Sequence, residues 1–260
     1  MGEKLAKLNQ SLEKALIIID IMVKSKGPMR LQDIAHEADI PPSTALRMLN
    51  TLATYGYVIQ DEETKRYFLS LKFAQIGSIT ISRLNIRDLA HPFLLELSET
   101  CGEACCLALE HGMEAIYTDV VEGPDSMVKI MQRIGKLVPL HSTGVGKLLL
   151  LNYSPAQLEH FAAVKGLPRL TKNTIHSLPD LKKELDVIRR QGYAYDNEEC
   201  ELGARCVAAP IYNYTGRIIG GISISGPVSR MSFDRIGTIT PNIVSTAKEI
   251  SLRLSYNENN

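Results

Sequence analysis

The sequence predicts an α+β fold in two domains, a small N-terminal unit of three helices and a hairpin followed by a larger mixed domain. Three observations carry this reading. The chain has 260 residues, enough for about two cores. Apolar residues recur at helical spacing from Leu12 to Leu52, and a strand-turn-strand pattern follows directly. After residue 100, alternating and helical patterns are interleaved. Hydrophobic residues make up 45% and charged residues 22%, with Lys plus Arg and Asp plus Glu both at 29, which excludes a disordered, collagen-like or strongly basic coating chain. A net charge of zero still permits a local positive field on a small module.

Leu12, Ala15, Leu16, Ile19 and Val23 fall on one helical stripe, with Ser11 as the expected N-cap, and Gly27-Pro28 ends the helix. A second short stripe, Leu31, Ile34, Ala35 and Ala38, precedes the break Asp39-Ile40-Pro41, and a third helix opens at Pro42. There Ala45, Leu49 and Leu52 face inward, while Ser43, Arg47, Asn50 and Thr54 share the opposite, polar face. Tyr57 to Gln60 and Lys65 to Leu69 then read as strands about the turn Asp61-Glu62-Glu63-Thr64. Three helices and a hairpin in this order form a winged helix-turn-helix over residues 9–70, a module whose second HTH helix enters the DNA major groove. Ser43 and Thr44 suit phosphate contact, Arg47 and Asn50 suit base edges, and Lys65 and Arg66 make the return arm of the wing basic. A merely solvated helix face is the plainer reading of the same polar residues. The segment through Lys72 carries ten Lys or Arg against nine Asp or Glu, so any field must come from distribution.

Residues 71–101 read as mostly helical, with a weak spot at Gly77 and a break at His91-Pro92. A linker helix is expected over 71–90 and a second domain over 91–256. Within that domain Ala104 to Leu109, Ala115 to Val121 and Met127 to Gln132 read as strands. Gly144 to Leu151, Pro155 to Val164 and Pro179 to Gln191 read as helices. Strands return at Tyr193 to Asp196, Val207 to Tyr212 and Ile218 to Ser225, before a last helix from about Ser232 that Pro241 kinks or restarts.

Three stretches here, donors and a carboxyl without a cluster of catalytic bases, look more like recognition than reaction. Gly144-Val145-Gly146-Lys147 opens a helix, where free N–H groups can meet a carboxylate, but it lacks the spacing of a nucleotide-binding P-loop. Asp196 ends a strand, where it can accept a hydrogen bond from a ligand hydroxyl, and Cys206 enters the next as a small, weakly polar wall, although taken alone a turn carboxylate and a core thiol are the favoured readings. Ser223 and Ser225, two apart on a strand, aim both hydroxyls at one side, which suits a carboxylate or simply a wet edge. The five cysteines, all after residue 100, are odd in number and irregularly spaced, so a reducing, cytoplasmic setting is expected. Cys101, Cys105, Cys106 and His111 do not have zinc spacing, because Cys105 and Cys106 would point to opposite strand faces; no metal or other cofactor is expected. The mixed charges of Met1 to Lys24 exclude a signal-peptide core, and no apolar run approaches a membrane span.

These motifs, in this order, resemble the isocitrate lyase regulator (IclR) family of bacterial transcription regulators over about Asn9 to Tyr256. The resemblance rests on Pro42-Ser43-Thr44-Ala45-Leu46-Arg47-Met48-Leu49, on Leu140-His141-Ser142-Thr143-Gly144-Val145-Gly146-Lys147, and on Gly192-Tyr193-Ala194 through Cys206-Val207-Ala208-Ala209-Pro210-Ile211 to Ser223-Ile224-Ser225-Gly226-Pro227. It implies a winged-helix DNA-binding domain, a dimerising linker, and a GAF-like effector-binding domain that pairs dimers into tetramers. It also implies effector contacts at Gly144, Val145, Asp196, Cys206, Ser223 and Ser225, with Met127, Ile130, Val138 and Ala204 on the apolar side of the pocket. The expected partners are therefore a pseudo-palindromic duplex operator, a small organic acid and further copies of the chain, with repression of a catabolic operon as the expected output. Two alternatives remain at this point: a cysteine hydrolase built on Cys206, His141 and Asp196, and a DNA-binding adaptor that answers to a protein.

Overall fold

A computed structural model describes residues 9–25, 27–82, 85–123 and 132–257. The chain divides into two compact units, Met1–Leu84 and Asn85–Asn260.

The first unit begins with α1 (Gln10–Lys24), capped by Asn9, whose side chain accepts the N–H groups of Ser11 and Leu12 at 3.1 Å; the cap is therefore Asn9 and not Ser11. The helix also turns a different face inward than its most regular stripe suggests. Ile18 and Met22 are buried, whereas Leu12, Leu16 and Val23 stay 60%, 53% and 63% exposed. Both stripes satisfy helical spacing, and only packing against α2 (Leu31–Glu37) and α3 (Pro42–Thr54) selects between them. Ile34, Ala35, Ala45, Met48 and Leu49 complete the core with Val58 and Tyr67 from the hairpin. That hairpin pairs β1 (Val58–Gln60) with β2 (Tyr67–Leu69), shorter than the expected strands because the Asp61 side chain accepts the Thr64 N–H at 2.7 Å and Lys65 takes φ 54 in the turn. Helix α4 (Lys72–Ser82) follows and runs through Gly77.

The second unit opens with α5 (Ile86–Cys101), which continues through His91-Pro92 where a break was expected. Its buried side, Ala90, Leu94, Leu97 and Cys101, lies in the domain core, so packing holds the helix past the one hydrogen bond that Pro92 removes. The sheet contains β3 (Ala104–His111), β4 (Glu114–Val121), β5 (Leu137–Pro139), β6 (Ala194–Asn197), β7 (Ala204–Tyr212) and β8 (Ile218–Pro227). Their spatial order is β5-β4-β3-β8-β7-β6, antiparallel throughout. One face packs against α5 and α9 (Phe233–Arg253) through Cys105, Leu107, Val207, Ile222 and Ile224. The other packs against α6 (Gly144–Leu150), α7 (Pro155–Lys165) and α8 (Leu178–Gln191) through Cys106, Ala108, Ala194 and Ala208. Cys105 and Cys106 thus belong to opposite cores, as period-two alternation requires. α9 passes through Pro241 without restarting.

Helix α6 lies close to its neighbours because of two glycines. A Cβ on Gly146 would sit 2.4 Å from the Leu140 Cα, and one on Gly144 would sit 3.0 Å from the Ala208 Cβ and 3.2 Å from the Cys206 Sγ. Gly77, in α4, has nothing within 4 Å of an added Cβ. Gly77→Ala is expected to raise stability by roughly 0.5–1 kcal/mol, the usual helix gain. Gly146→Ala reverses the sign and costs about 3 kcal/mol, since backbone must shift to admit the methyl. Urea midpoints of the two variants check both, and a stabilised Gly146→Ala protein overturns the close-packing account.

Candidate functional site

In the first unit, α3 presents the expected polar face. Ser43, Arg47, Asn50 and Thr54 are exposed, and Thr44 is half-buried. Pro41 provides no side-chain cap, so the helix start keeps backbone N–H capacity beside the Ser43 and Thr44 hydroxyls. Lys65 is exposed in the hairpin turn, while Arg66 is half-buried and its Nη1 donates to the Pro28 carbonyl at 3.5 Å. Arg66 is thus partly turned back onto its own domain.

In the second unit the cross-strand register assembles a cavity. Asp196 pairs with Cys206, Cys206 with Ser225, and Ala208 with Ser223, so residues of β6, β7 and β8 face the same side in two adjacent rows. The N-terminus of α6 covers them, with Gly144 and Val145 at the cavity wall and Thr143 capping the helix through the Gly146 N–H at 3.2 Å. The cavity has a volume of about 50 Å³ and is bounded by all six contacts that the resemblance implied in described residues: Gly144, Val145, Asp196, Cys206, Ser223 and Ser225. Val138 and Ala204 line it as well. Met127 and Ile130 lie outside the described residues. Sequence reasoning missed Tyr117, Gln132, Lys136, Thr143, Cys200, Glu201 and Arg205, which also line it. Only Thr143 gave a local signal, as a hydroxyl residue directly before a helix; the others arrive through tertiary packing.

The site's electrostatics favour donors. Ser223 Oγ is buried with no hydrogen-bond partner among the described residues, an unmet capacity facing the cavity. Burial pushes the Asp196 carboxyl up to about 7, although one of its oxygens accepts the Glu199 N–H at 2.7 Å and the Cys200 N–H at 3.3 Å; the neighbouring Glu199 charge adds to the rise and Lys147 opposes it. Burial, with Asp196 beside it, pushes the Cys206 thiol well up, so it remains a thiol despite the Gly144 N–H aimed at it. Lys147, fully buried, is held by Glu199 at 2.7 Å and Glu184 at 3.1 Å; these carboxylates outweigh the burial that opposes its charge, and it stays cationic. The Cys206–His141–Asp196 hydrolase alternative has no support in this geometry. His141 is buried outside the cavity lining, its Nε2 is 3.1 Å from the Pro168 carbonyl, and the thiol it would activate is held protonated.

Comparison with known proteins agrees with both halves. Residues 11–62 match the IclR helix-turn-helix domain, and residues 78–252 match the bacterial transcriptional regulator IclR C-terminal domain. The chain belongs to the IclR family. The HTH-type transcriptional repressor AllR of Salmonella typhimurium is 35% identical over 245 residues, covering 94% of this chain and 90% of that protein; AllR of Escherichia coli K12 is 33% identical over the same shares. The crystal structure of the Thermotoga maritima IclR is 36% identical, with a TM-score of 0.63 over 95% of this chain and 99% of that one. The Agobacterium tumefaciens repressor BlcR shares the fold, with a TM-score of 0.75 at 23% identity, over 95% of this chain and 97% of that one. As an IclR-family protein, the chain is a DNA-binding transcriptional regulator with an N-terminal helix-turn-helix and a C-terminal GAF-like α+β domain, not an enzyme. No helix among the described residues is long and apolar enough to cross a membrane.

The raised Asp196 carboxyl has a measurable consequence. Its folded-state value of about 7 exceeds the ordinary 3.8, so its favourable contribution is complete below about pH 4 and is lost as pH rises through about 7. Asp196→Asn removes that dependence. The wild type should lose roughly 4 kcal/mol relative to the variant between about pH 4 and about pH 8; parallel urea curves for the two proteins, with no pH dependence in their difference, would show the carboxyl to be ionised throughout.

Proposed function

We propose that this regulator is a repressor whose operator binding is controlled by a small organic acid held in the cavity beneath α6. The observation that carries this reading is the buried, unpartnered Ser223 hydroxyl beside Ser225, set against Asp196, Cys206 and the start of α6. Hydroxyl donors and a helix start suit a carboxylate, and no nucleophile with an activating base accompanies them. About 50 Å³ is a few water-sized spheres, which favours an effector of few heavy atoms over a large aromatic acid. The printed name of the AllR relatives supports repression.

On the DNA side, Arg47 and Asn50 read base edges, while Ser43, Thr44 and Lys65 hold phosphates. Arg66 contributes charge to the wing from its partly folded-back position. The chain acts as a dimer, and as a tetramer through its effector domains. The exposed stripe Leu12, Leu16 and Val23 of α1 supports self-association, because a monomer would leave that apolar face in water. Twofold symmetry then calls for a pseudo-palindromic operator. The effector acts by binding one arrangement of the dimer better than another, which alone can shift the population that fits DNA. The domain limits suited to this assembly are 9–70 for DNA binding, 71–90 for the linker and 91–256 for the effector.

Two experiments test this. A thermal-shift screen against small carboxylates should give a stabilising hit that Ser223→Ala/Ser225→Ala abolishes, and the same acid should release the protein from its own upstream DNA. Stabilisation that survives in the double variant places the acid elsewhere. In DNA titrations, Arg47→Ala should lose about 1–3 kcal/mol with relaxed sequence preference, and Lys65→Ala should lower the salt slope by about one. Unchanged operator affinity in both variants removes these residues from the interface.

A further inference from the structure

Ser225 can recognise an anion only if its hydroxyl proton points into the cavity. A hydroxyl is one donor and two acceptors, and which role it offers a ligand depends on what its protein neighbours already take. Resting on the effector reading above, we propose that Gln132, oriented by Cys106, is a specificity-determining residue that fixes Ser225 as a donor and so selects a carboxylate over its neutral carboxamide.

The chain of donors runs across the sheet. Gln132 lines the cavity, and its Nε2 lies 2.9 Å from the Ser225 Oγ; its Oε1 is in hydrogen-bond contact with the Cys106 Sγ. Cys106 sits on β3 directly across from Ser223 on β8, fully buried and outside the cavity lining. An amide's oxygen and nitrogen look alike by shape, so its orientation must come from its partners. Cys106 settles it. The thiol is held protonated by burial, with Cys206 and Asp119 adding to the effect, and sulfur is a weak acceptor, so the thiol donates and the amide oxygen faces it. The amide N–H then faces Ser225 and occupies one of its lone pairs. The Ser225 proton is left without a competitor on the Gln132 side and is directed to the cavity, next to the Ser223 hydroxyl two residues away on the same strand face.

Two parallel hydroxyl donors match the two oxygens of a carboxylate. A carboxamide presents one oxygen and one N–H, so with Ser225 fixed as a donor it can bind in a single orientation, and only if the unpartnered Ser223 hydroxyl turns to accept that N–H. Lys136 and Arg205 also line the cavity and attract anions of any shape, but Arg205 is engaged by Asn197 at 2.8 Å and by the Met231 carbonyl, and Lys136 is exposed and screened. The ratio of carboxylate to carboxamide affinity contains that attraction, but Gln132 and Cys106 variants leave both cations in place, so the change of the ratio from parent to variant isolates the hydroxyl orientation.

The full-length protein is titrated with glycolate against glycolamide, lactate against lactamide and succinate against succinamide, by thermal shift and calorimetry. The variants are Gln132→Met, Cys106→Ala, Cys106→Ser and Ser225→Ala. Gln132→Met keeps length and charge while removing the N–H, and the ratio of carboxylate to carboxamide affinity is expected to fall several-fold. Cys106→Ala frees the amide to turn over and should lower the ratio several-fold, whereas Cys106→Ser retains a donor and should keep it within about twofold. A ratio unchanged in Gln132→Met, with carboxylate binding lost in Ser225→Ala, overturns the role of Gln132 and leaves the effector site standing. No carboxylate stabilisation of the parent protein overturns the effector reading, and this inference with it. Gln132 is only half-buried, so its variant decides the matter even where a Cys106 variant fails to fold.

Discussion

The antiparallel register of β6, β7, β8 and β3 is the constraint on which the effector domain depends. Asp196, Cys206 and Ser225 stand in one cross-strand row, and Ala194, Ala208, Ser223 and Cys106 in the next. A slip of one residue in β8 would exchange Ser223 and Ser225 for Ile222 and Ile224, placing hydroxyls against α9 and isoleucines in the cavity. Both faces of the sheet are buried, so either error strands polar groups in an apolar core. The alternation that secures the fold is therefore the alternation that builds the site.

The helix above the cavity is tied to it by an ion network. Lys147, in α6, bridges Glu184 on α8 to Glu199, and the Glu199 N–H holds the Asp196 carboxyl. Glu199 also accepts the Thr174 hydroxyl through its carbonyl at 2.6 Å, so the loop beyond β6 is fixed at several points. A buried cation with two carboxylates contributes more to position than to net stability, because desolvation offsets most of its Coulomb attraction. What it secures is the distance between the start of α6 and the Asp196 row. Tight contact of Gly144 with Ala208 and Cys206 sets the same distance from the other side.

Much of this was legible in local pattern, and the failures share a cause. Ser223 and Ser225 declared a common face through period-two alternation, and Gly144 declared a helix start. The phase of α1 is not fixed by spacing, because two apolar stripes wind around it; Ile18 and Met22 are buried against α2 and α3, with Ala15 alongside, while Leu12, Leu16 and Val23 stay exposed. Local pattern suggests a break at His91-Pro92 and a kink or restart at Pro241, yet one helix passes through each, since the hydrogen bond lost at proline is outweighed by apolar faces on either side packed into one core. Gln132 and Ser225 are 93 residues apart, so no window of sequence could pair them.

The sequence by itself determined the family, the two-domain order, the polar face of α3 and eight of the groups that surround the cavity. The polar face of α3 and the shared side of Ser223 and Ser225 follow from residue type at short spacing, which helical and strand geometry convert directly into a face, whereas the family and the full set of contacts came from the resemblance of three motifs. Tertiary structure alone decided which residues of α1 are covered, that burial raises the Asp196 carboxyl, and that Gln132 meets Ser225. Burial and hydrogen-bond direction are properties of neighbours distant in the chain, and they exist only once the sheet has brought those neighbours together.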